Sequence, residues 1–211
     1  MPVSLAFQPS LFDGDPSPEL PPVAAEGERT ELSDGAWVDL HRSWVRGSDQ
    51  LFERLLESVP WRGERRRMYD RELDVPRLVA FYENGQPLPD PQLEVINDAL
   101  SSQYRAELGE PFRTVGLCLY RDGGDSVAWH GDRIGRSRTE DTVVAIVSLG
   151  TPRRFLLRPR GGGRSRPFEL GRGDLLVMGG SCQRTWEHSV PKLTQAGGPR
   201  ISVQFRPIGV R

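Results

Sequence analysis

From residue 112 to residue 208 the chain consists of short apolar runs, each closed by Gly, Pro or Arg. They are "FRTVGLCLY" (112–120), "TVVAIVSLG" (142–150), "RRFLLRP" (153–159), "PFEL" (167–170), "DLLVMGG" (174–180), "RTWEHSV" (184–190) and "RISVQFRPI" (200–208). The runs are too short for helices and rich in β-branched residues. The spacing therefore predicts an antiparallel sandwich, barrel or jelly roll and excludes a parallel α/β sheet. Upstream, "AWVDLHRSW" (36–44) alternates well enough for a further strand. Two stretches are helical instead. In "SDQLFERLLESV" (48–59), Leu51, Phe52, Leu55, Leu56 and Val59 share one face, with Ser48 as the expected N-cap. In "DPQLEVINDALSSQYRAELG", Asp90 caps and Pro91 suits the first turn. Leu93, Ile96, Leu100 and Tyr104 form the stripe there, and Gly109 stops it. The expected fold class is mainly β with supporting helices (α+β).

With 211 residues there is enough chain for one well-buried domain plus an arm. Residues 9–28, rich in Pro, Asp, Glu and Gly, lack periodicity, so residues 1–30 are expected to be a partly flexible arm and 31–211 one domain. Hydrophobic residues make up 36% and mean hydropathy is −0.50. No run approaches the roughly 18 to 20 apolar residues of a membrane span. The start, "MPVSLAFQPSLFDGDP", has neither a basic n-region nor a long apolar h-region. A cytoplasmic protein with no membrane partner is expected, with Cys118 and Cys182 as free thiols. The net charge of −1 conceals an asymmetry: residues 133–211 carry 15 basic against 5 acidic side chains. All but Lys192 of the 28 basic residues are arginine. Arginine suits bidentate contacts to phosphate or carboxylate, so the C-terminal half either faces a polyanion or reflects a general arginine bias.

"WHGDRIG" (129–135) holds one of three histidines, two positions before an aspartate. In an extended segment His130 and Asp132 share a face and can grip one ion. The pair alone is a weak signal, but His188 lies on a later predicted strand. Two histidines and a carboxylate on one face of an octahedral ion form the facial triad of non-haem Fe(II) oxygenases, with positions left open; zinc hydrolases use similar sets. Arg200 and Arg206 are an even number of residues apart on the last strand, so both point one way. A guanidinium inside a barrel needs a carboxylate partner, and 2-oxoglutarate carries two.

The blocks "LCLYRDGGDSVAWHGD", "VVAIVSLGTPRRFLLRPR", "GRGDLLVMGGSCQRTWEHSVPK" and "PRISVQFRP", in that order, resemble the AlkB family of Fe(II)/2-oxoglutarate dioxygenases. The resemblance covers about residues 33 to 208. It implies a double-stranded β-helix (jelly roll) core over about 112–208 and a nucleotide-recognition lid over about 61–90. It implies Fe(II) held by His130, Asp132 and His188, with 2-oxoglutarate as co-substrate and O₂ as oxidant. Arg200 matches the arginine on the distal carboxylate of 2-oxoglutarate, Arg206 a second arginine nearer the chelating end, and Tyr120 a tyrosine that reaches the same molecule. The implied reaction is oxidative dealkylation: an N-alkyl carbon on a nucleobase of DNA or RNA is hydroxylated and lost as aldehyde, leaving succinate and CO₂. DNA repair and RNA demethylation, transfer RNA included, both fit; a monomer is expected.

The chain departs from the family twice. Cys118 stands where an asparagine amide commonly meets 2-oxoglutarate, and a thiol is a much weaker donor. After Asp132 come Arg133, Ile134 and Gly135, where many repair members place acidic residues that meet a base's exocyclic amine. The expected substrate contacts are Trp61, Tyr69, Tyr82 and Arg133, with Arg65, Arg66 and Arg67 as nearby cations, because an extruded base needs aromatic faces and positive charge. His41 reads as a surface histidine. Two rivals remain open: the same oxygenase acting on a protein or small molecule, and a non-catalytic nucleic-acid-binding module.

Overall fold

The computed structural model describes residues 20, 27–68, 71–132, 135–194 and 197–210, with backbone only for 64–68 and 71–74. The strands are β1 (Glu28–Glu31), β2 (Ala36–His41), β3 (Arg62–Met68), β4 (Arg71–Tyr82), β5 (Thr114–Tyr120), β6 (Val127–His130), β7 (Val144–Gly150), β8 (Arg153–Pro159), β9 (Arg166–Leu170), β10 (Asp174–Gly180), β11 (Trp186–Val190) and β12 (Arg200–Arg206). The helices are α1 (Ser48–Ser58), α2 (Pro91–Gln103), α3 (Arg105–Leu108) and α4 (Cys182–Thr185). Every pairing between described strands is antiparallel.

They form two sheets: eight strands in the order β1-β2-β10-β7-β12-β5-β4-β3, and four in the order β6-β11-β8-β9. From β5 to β12 each successive strand switches sheet, except that β8 and β9 both lie in the small one, which is the double-stranded β-helix. One face of the large sheet lies against α1 and α2, where Leu51, Phe52, Leu55, Leu93, Ile96 and Leu100 meet Leu117, Val147, Leu175 and Val203. Its other face meets the small sheet through Val144, Ile146, Phe155, Leu157, Leu176 and Met178. All seven residues of β7 are therefore buried. Such a strand reads as a continuous apolar run, without alternation, because both faces are dry.

The predicted runs coincide with strands to within two residues at either end, except where helix α4 takes the start of "RTWEHSV" and β2 stops at His41. Four strands had no separate prediction: β1, β3, β4 and the four-residue β6, which has a single neighbour among the described strands. Asp90 caps α2 as expected, accepting from Gln92 N at 2.9 Å. Ser48 does not cap α1. Gly47, left-handed at φ 68°, precedes the helix, and Ser48 is its buried first residue. His41 is a second correction, being 5% exposed. The Tyr104 hydroxyl lies 3.4 Å from its Nε2 and donates to Asp39 at 3.1 Å. Burial moves the His41 pKa down, Asp39 notwithstanding. Of the expected arm, Glu28–Glu31 is β1, while residues 1–19 and 21–26 lie outside the described residues.

Candidate active site

Side chains at alternate positions of β12 point between the sheets, so Arg200, Ser202, Gln204 and Arg206 line one wall of a cavity of about 540 Å³. Gly116, Cys118 and Tyr120 from β5, and Arg77, Val79 and Phe81 from β4, continue that wall. The small sheet faces it with Phe155, His130, His188 and Val190.

His130 and His188 are brought together by direct cross-strand pairing of β6 with β11. Their ring centroids are 4.2 Å apart, and a ligand atom of Asp132 completes a set in which all three donor atoms lie within 4.8 Å of one another. Each group is held from behind. Nδ1 of His130 is 2.9 Å from the Ala128 carbonyl, which fixes that nitrogen as the N–H donor and leaves Nε2 as a lone-pair donor. His188 stacks on Phe155 at 5.2 Å. The Asp132 backbone N–H donates to Gln183 Oε1 at 3.0 Å and its carbonyl accepts from Ser137 Oγ. Its carboxylate takes a 2.7 Å bond from Arg206 Nε.

The electrostatics suit a cation. Burial, with His130 adding to it, pushes His188 down to about 3, and burial likewise lowers His130, so both rings are neutral at neutral pH. Burial by itself would raise the Asp132 pKa; Arg206, then His188 and His130, outweigh it and hold the carboxyl well below the usual range. Two neutral imidazoles and one ionised carboxylate are a donor set for a divalent first-row metal.

Deeper in the cavity sits Arg200, 1% exposed. Its Nη2 donates to Ser148 Oγ at 2.7 Å, while Nε and Nη1 have no hydrogen-bond partner among the described residues. A buried guanidinium with two undirected donors is costly unless an anion meets it, and a carboxylate matches its fork. The residues present thus fit a dicarboxylate such as 2-oxoglutarate. Tyr120 lies beneath, with its ring 5.2 Å from Arg200 Cζ and 5.8 Å from Arg153 Cζ. Burial, with Cys118 close by, pushes its phenol up to about 12 against the pull of Arg200, Arg77 and Arg153. The Cys118 thiol also lines the cavity and donates to Gln204 Oε1 at 3.8 Å. Arg153 is a clamp: Nη1 donates to the Asp122 carbonyl at 2.8 Å, and Nη2 to those of Asp125 and Pro191 at 2.9 and 2.8 Å. It ties the approach to β6 to the exit from β11, the two histidine strands.

His130, Asp132, His188, Tyr120, Cys118, Arg200 and Arg206 therefore converge. Of the expected substrate contacts, the two that are described, Trp61 and Tyr82, lie elsewhere. Trp61 and Tyr82 pack on the helix side of the large sheet, Trp61 donating to the Leu56 carbonyl at 3.2 Å. Tyr69, Arg133 and Ile134, with the side chains of Arg65, Arg66 and Arg67, lie outside the described residues. Sequence reasoning missed Arg77, Phe81 and Gln204. Gln204 shares the parity of Arg200 and Arg206, which was signal enough. Phe81 is one position from Tyr82 and on the opposite face of β4.

The family model described as the 2OG-Fe(II) oxygenase superfamily matches residues 44–206. The chain is 30% identical over 183 residues to human "Alpha-ketoglutarate-dependent dioxygenase alkB homolog 3", covering 78% of this chain and 63% of that protein. It is 28% identical over 210 residues to "DNA oxidative demethylase ALKBH2" of Arabidopsis thaliana, covering 81% and 63%. The chain thus spans less than two thirds of the length of these relatives. The solved structure described as "The structure of OsALKBH1" superposes with a TM-score of 0.59 at 16% identity, over 85% of this chain and all of the other, and shares the fold. By family match, relatives and fold together, this chain belongs to the 2OG-Fe(II) oxygenase superfamily, in its AlkB family.

Proposed function

We propose that this chain is an Fe(II)/2-oxoglutarate-dependent dioxygenase that oxidatively removes alkyl groups from nucleobases of DNA or RNA, transfer RNA among them, and acts as a monomer. The observation that carries the oxygenase reading is Arg200, a buried cation with two undirected donors in the same cavity as the His130, Asp132 and His188 set. The relatives named as alkB homologues and DNA oxidative demethylases support the nucleic-acid substrate.

Bound together, Fe(II), 2-oxoglutarate and O₂ supply the oxidation that hydroxylates an N-alkyl carbon. The protein's own work is placement. His130, His188 and Asp132 would hold the metal, and Arg206 keeps Asp132 ionised and aimed. Arg200 takes the distal carboxylate of 2-oxoglutarate, with the Tyr120 hydroxyl beside it. Phe81, 41% exposed on the cavity wall, offers an aromatic face to the base. The hydroxylated product, a hemiaminal, breaks its C–N bond to release aldehyde. Formaldehyde release from methylated DNA, RNA and transfer-RNA oligonucleotides, with Fe(II) and 2-oxoglutarate, tests the reading. Turnover of 2-oxoglutarate without formaldehyde from any of them would refute the nucleic-acid substrate.

A further inference from the structure

Val127 and His130 are three residues apart on β6, yet both line the cavity. In a regular strand an odd spacing sends two side chains to opposite faces. The register accounts for this. Val190 of β11 pairs with Val127 and His188 with His130, so three steps on β6 oppose two on β11. β6 therefore carries a bulge, the device by which a short edge strand re-aims a side chain. Within it the Ala128 carbonyl meets Nδ1 of His130 at 2.9 Å, and Trp129 stacks with Arg158, whose Cζ is 4.0 Å from the ring centroid.

So short a strand can shed its extra residue in two ways. With Val127 kept opposite Val190, a regular ladder puts Trp129 opposite His188, and His130 leaves the cavity. The stack of Trp129 on Arg158, itself paired with Glu187 at 3.1 Å, opposes that slip. With His130 kept opposite His188, Ala128 moves opposite Val190 and Val127 turns outward. The chain before it then advances one residue along β11, and the bulge that sets the Ala128 carbonyl on His130 is lost.

Arg153, at the start of β8 and fully enclosed, blocks the second slip. Its Nη1 donates to the Asp122 carbonyl, and its Nη2 donates to the carbonyls of Asp125 and Pro191 at 2.9 and 2.8 Å. Asp125 lies two residues before Val127, and Pro191 directly follows Val190. One nitrogen thus holds the two chains level where the bulge begins. Ser126 N on the Pro76 carbonyl and Leu193 N on that of Gly123, each at 2.8 Å, brace the same segment. We propose that Arg153 is a positioning residue for the metal centre: it keeps the extra residue in β6 and so sets the aim of His130 against His188. The inference rests on the reading of His130, Asp132 and His188 as metal donors.

Co(II) titration of the full chain, followed by visible absorption, tests this without turnover. Arg153→Lys keeps the charge but gathers its donors on one atom, which cannot span Asp122, Asp125 and Pro191 together. Arg153→Gln drops the charge and keeps an amide donor, so it carries the test should the lysine variant not fold. Each should bind Co(II) about tenfold more weakly or worse, with an altered absorption band, the scale of loss for groups that orient metal ligands. Amide exchange at Ser126 and Val127 should also quicken in the metal-free variants. As a control, Arg54→Met breaks the pair with Asp90 on the helix side and should lower the melting temperature with the Co(II) band unchanged. Parental Co(II) affinity and band in either folded variant, or the same change in Arg54→Met, overturns the role of Arg153. A parent chain that binds no Co(II) refutes the metal centre itself, and unchanged exchange in the variants would then overturn the clamp.

Discussion

Replacing Arg200 by methionine should move two measurable quantities in opposite directions. The side chain is 1% exposed, one guanidinium nitrogen is on Ser148, and Nε and Nη1 have no partner among the described residues. Burial lowers its pKa, the signature of a charge held where charge is disfavoured. In protein without co-substrate, methionine fills most of the same volume and removes that charge, so the melting temperature should be unchanged or higher. Toward 2-oxoglutarate the sign reverses. A carboxylate drawn into the cavity would lose its partner in a desolvated setting, which costs about 2–5 kcal/mol, or roughly 30-fold to several thousand-fold in affinity. The assay is calorimetric titration with 2-oxoglutarate under anaerobic conditions with Mn(II), beside a thermal melt of ligand-free protein. Arg200→Lys should fall between the two, keeping the charge but not the fork. If Arg200→Met binds 2-oxoglutarate with parental affinity, the carboxylate is held elsewhere and the role given to Arg200 is wrong.

His188→Ala should abolish tight metal binding while leaving the fold intact, which Co(II) titration by visible absorption and a melt would show together; normal Co(II) affinity would remove His188 from the metal set. Cys118→Asn should leave formaldehyde release intact or lower the 2-oxoglutarate requirement, because an amide donates where the thiol now meets Gln204; a folded but inactive variant would give the thiol a role of its own. In metal-free protein all three histidines have lowered pKa values, burial being the first cause for each. The unfolded chain binds protons that the folded one does not, so stability is full above the unfolded histidine value and falls as pH drops toward the folded ones. His41→Gln should remove one share of that loss between pH 7 and pH 5 without changing metal affinity; an undiminished slope would place His41 outside the effect.

The strands were legible because Gly and Pro break the apolar runs where the chain reverses. Residues 153–159 and 174–180 coincide with β8 and β10 at both ends. The metal donors were legible because two sit at i and i+2 and the third lies on a strand of its own. What failed was parity. On β4, Arg77, Val79 and Phe81 face the cavity while Leu78 and Tyr82 face the helices. A strand covered on both faces shows no polar–apolar alternation, so the chain does not announce which set looks inward. Tyr82 packs on the helix side and the neighbouring Phe81 is the aromatic that lines the cavity. His41 failed for a related reason: the helical segment that buries it, ending in Tyr104, is more than sixty residues away in sequence.

β6 is four residues long, has β11 as its one neighbour among the described strands, and carries His130 at its end. A cation shared by His130 and His188 is a rivet through the loose edge of a sheet. Ligand binding stabilises a fold in proportion to the logarithm of its occupancy, about 4 kcal/mol at a thousand times Kd. Iron supply would then govern how long each copy survives proteolysis as well as how fast it works. Under iron scarcity, copies that fail to load would be cleared first, matching the pool of folded enzyme to the metal on hand.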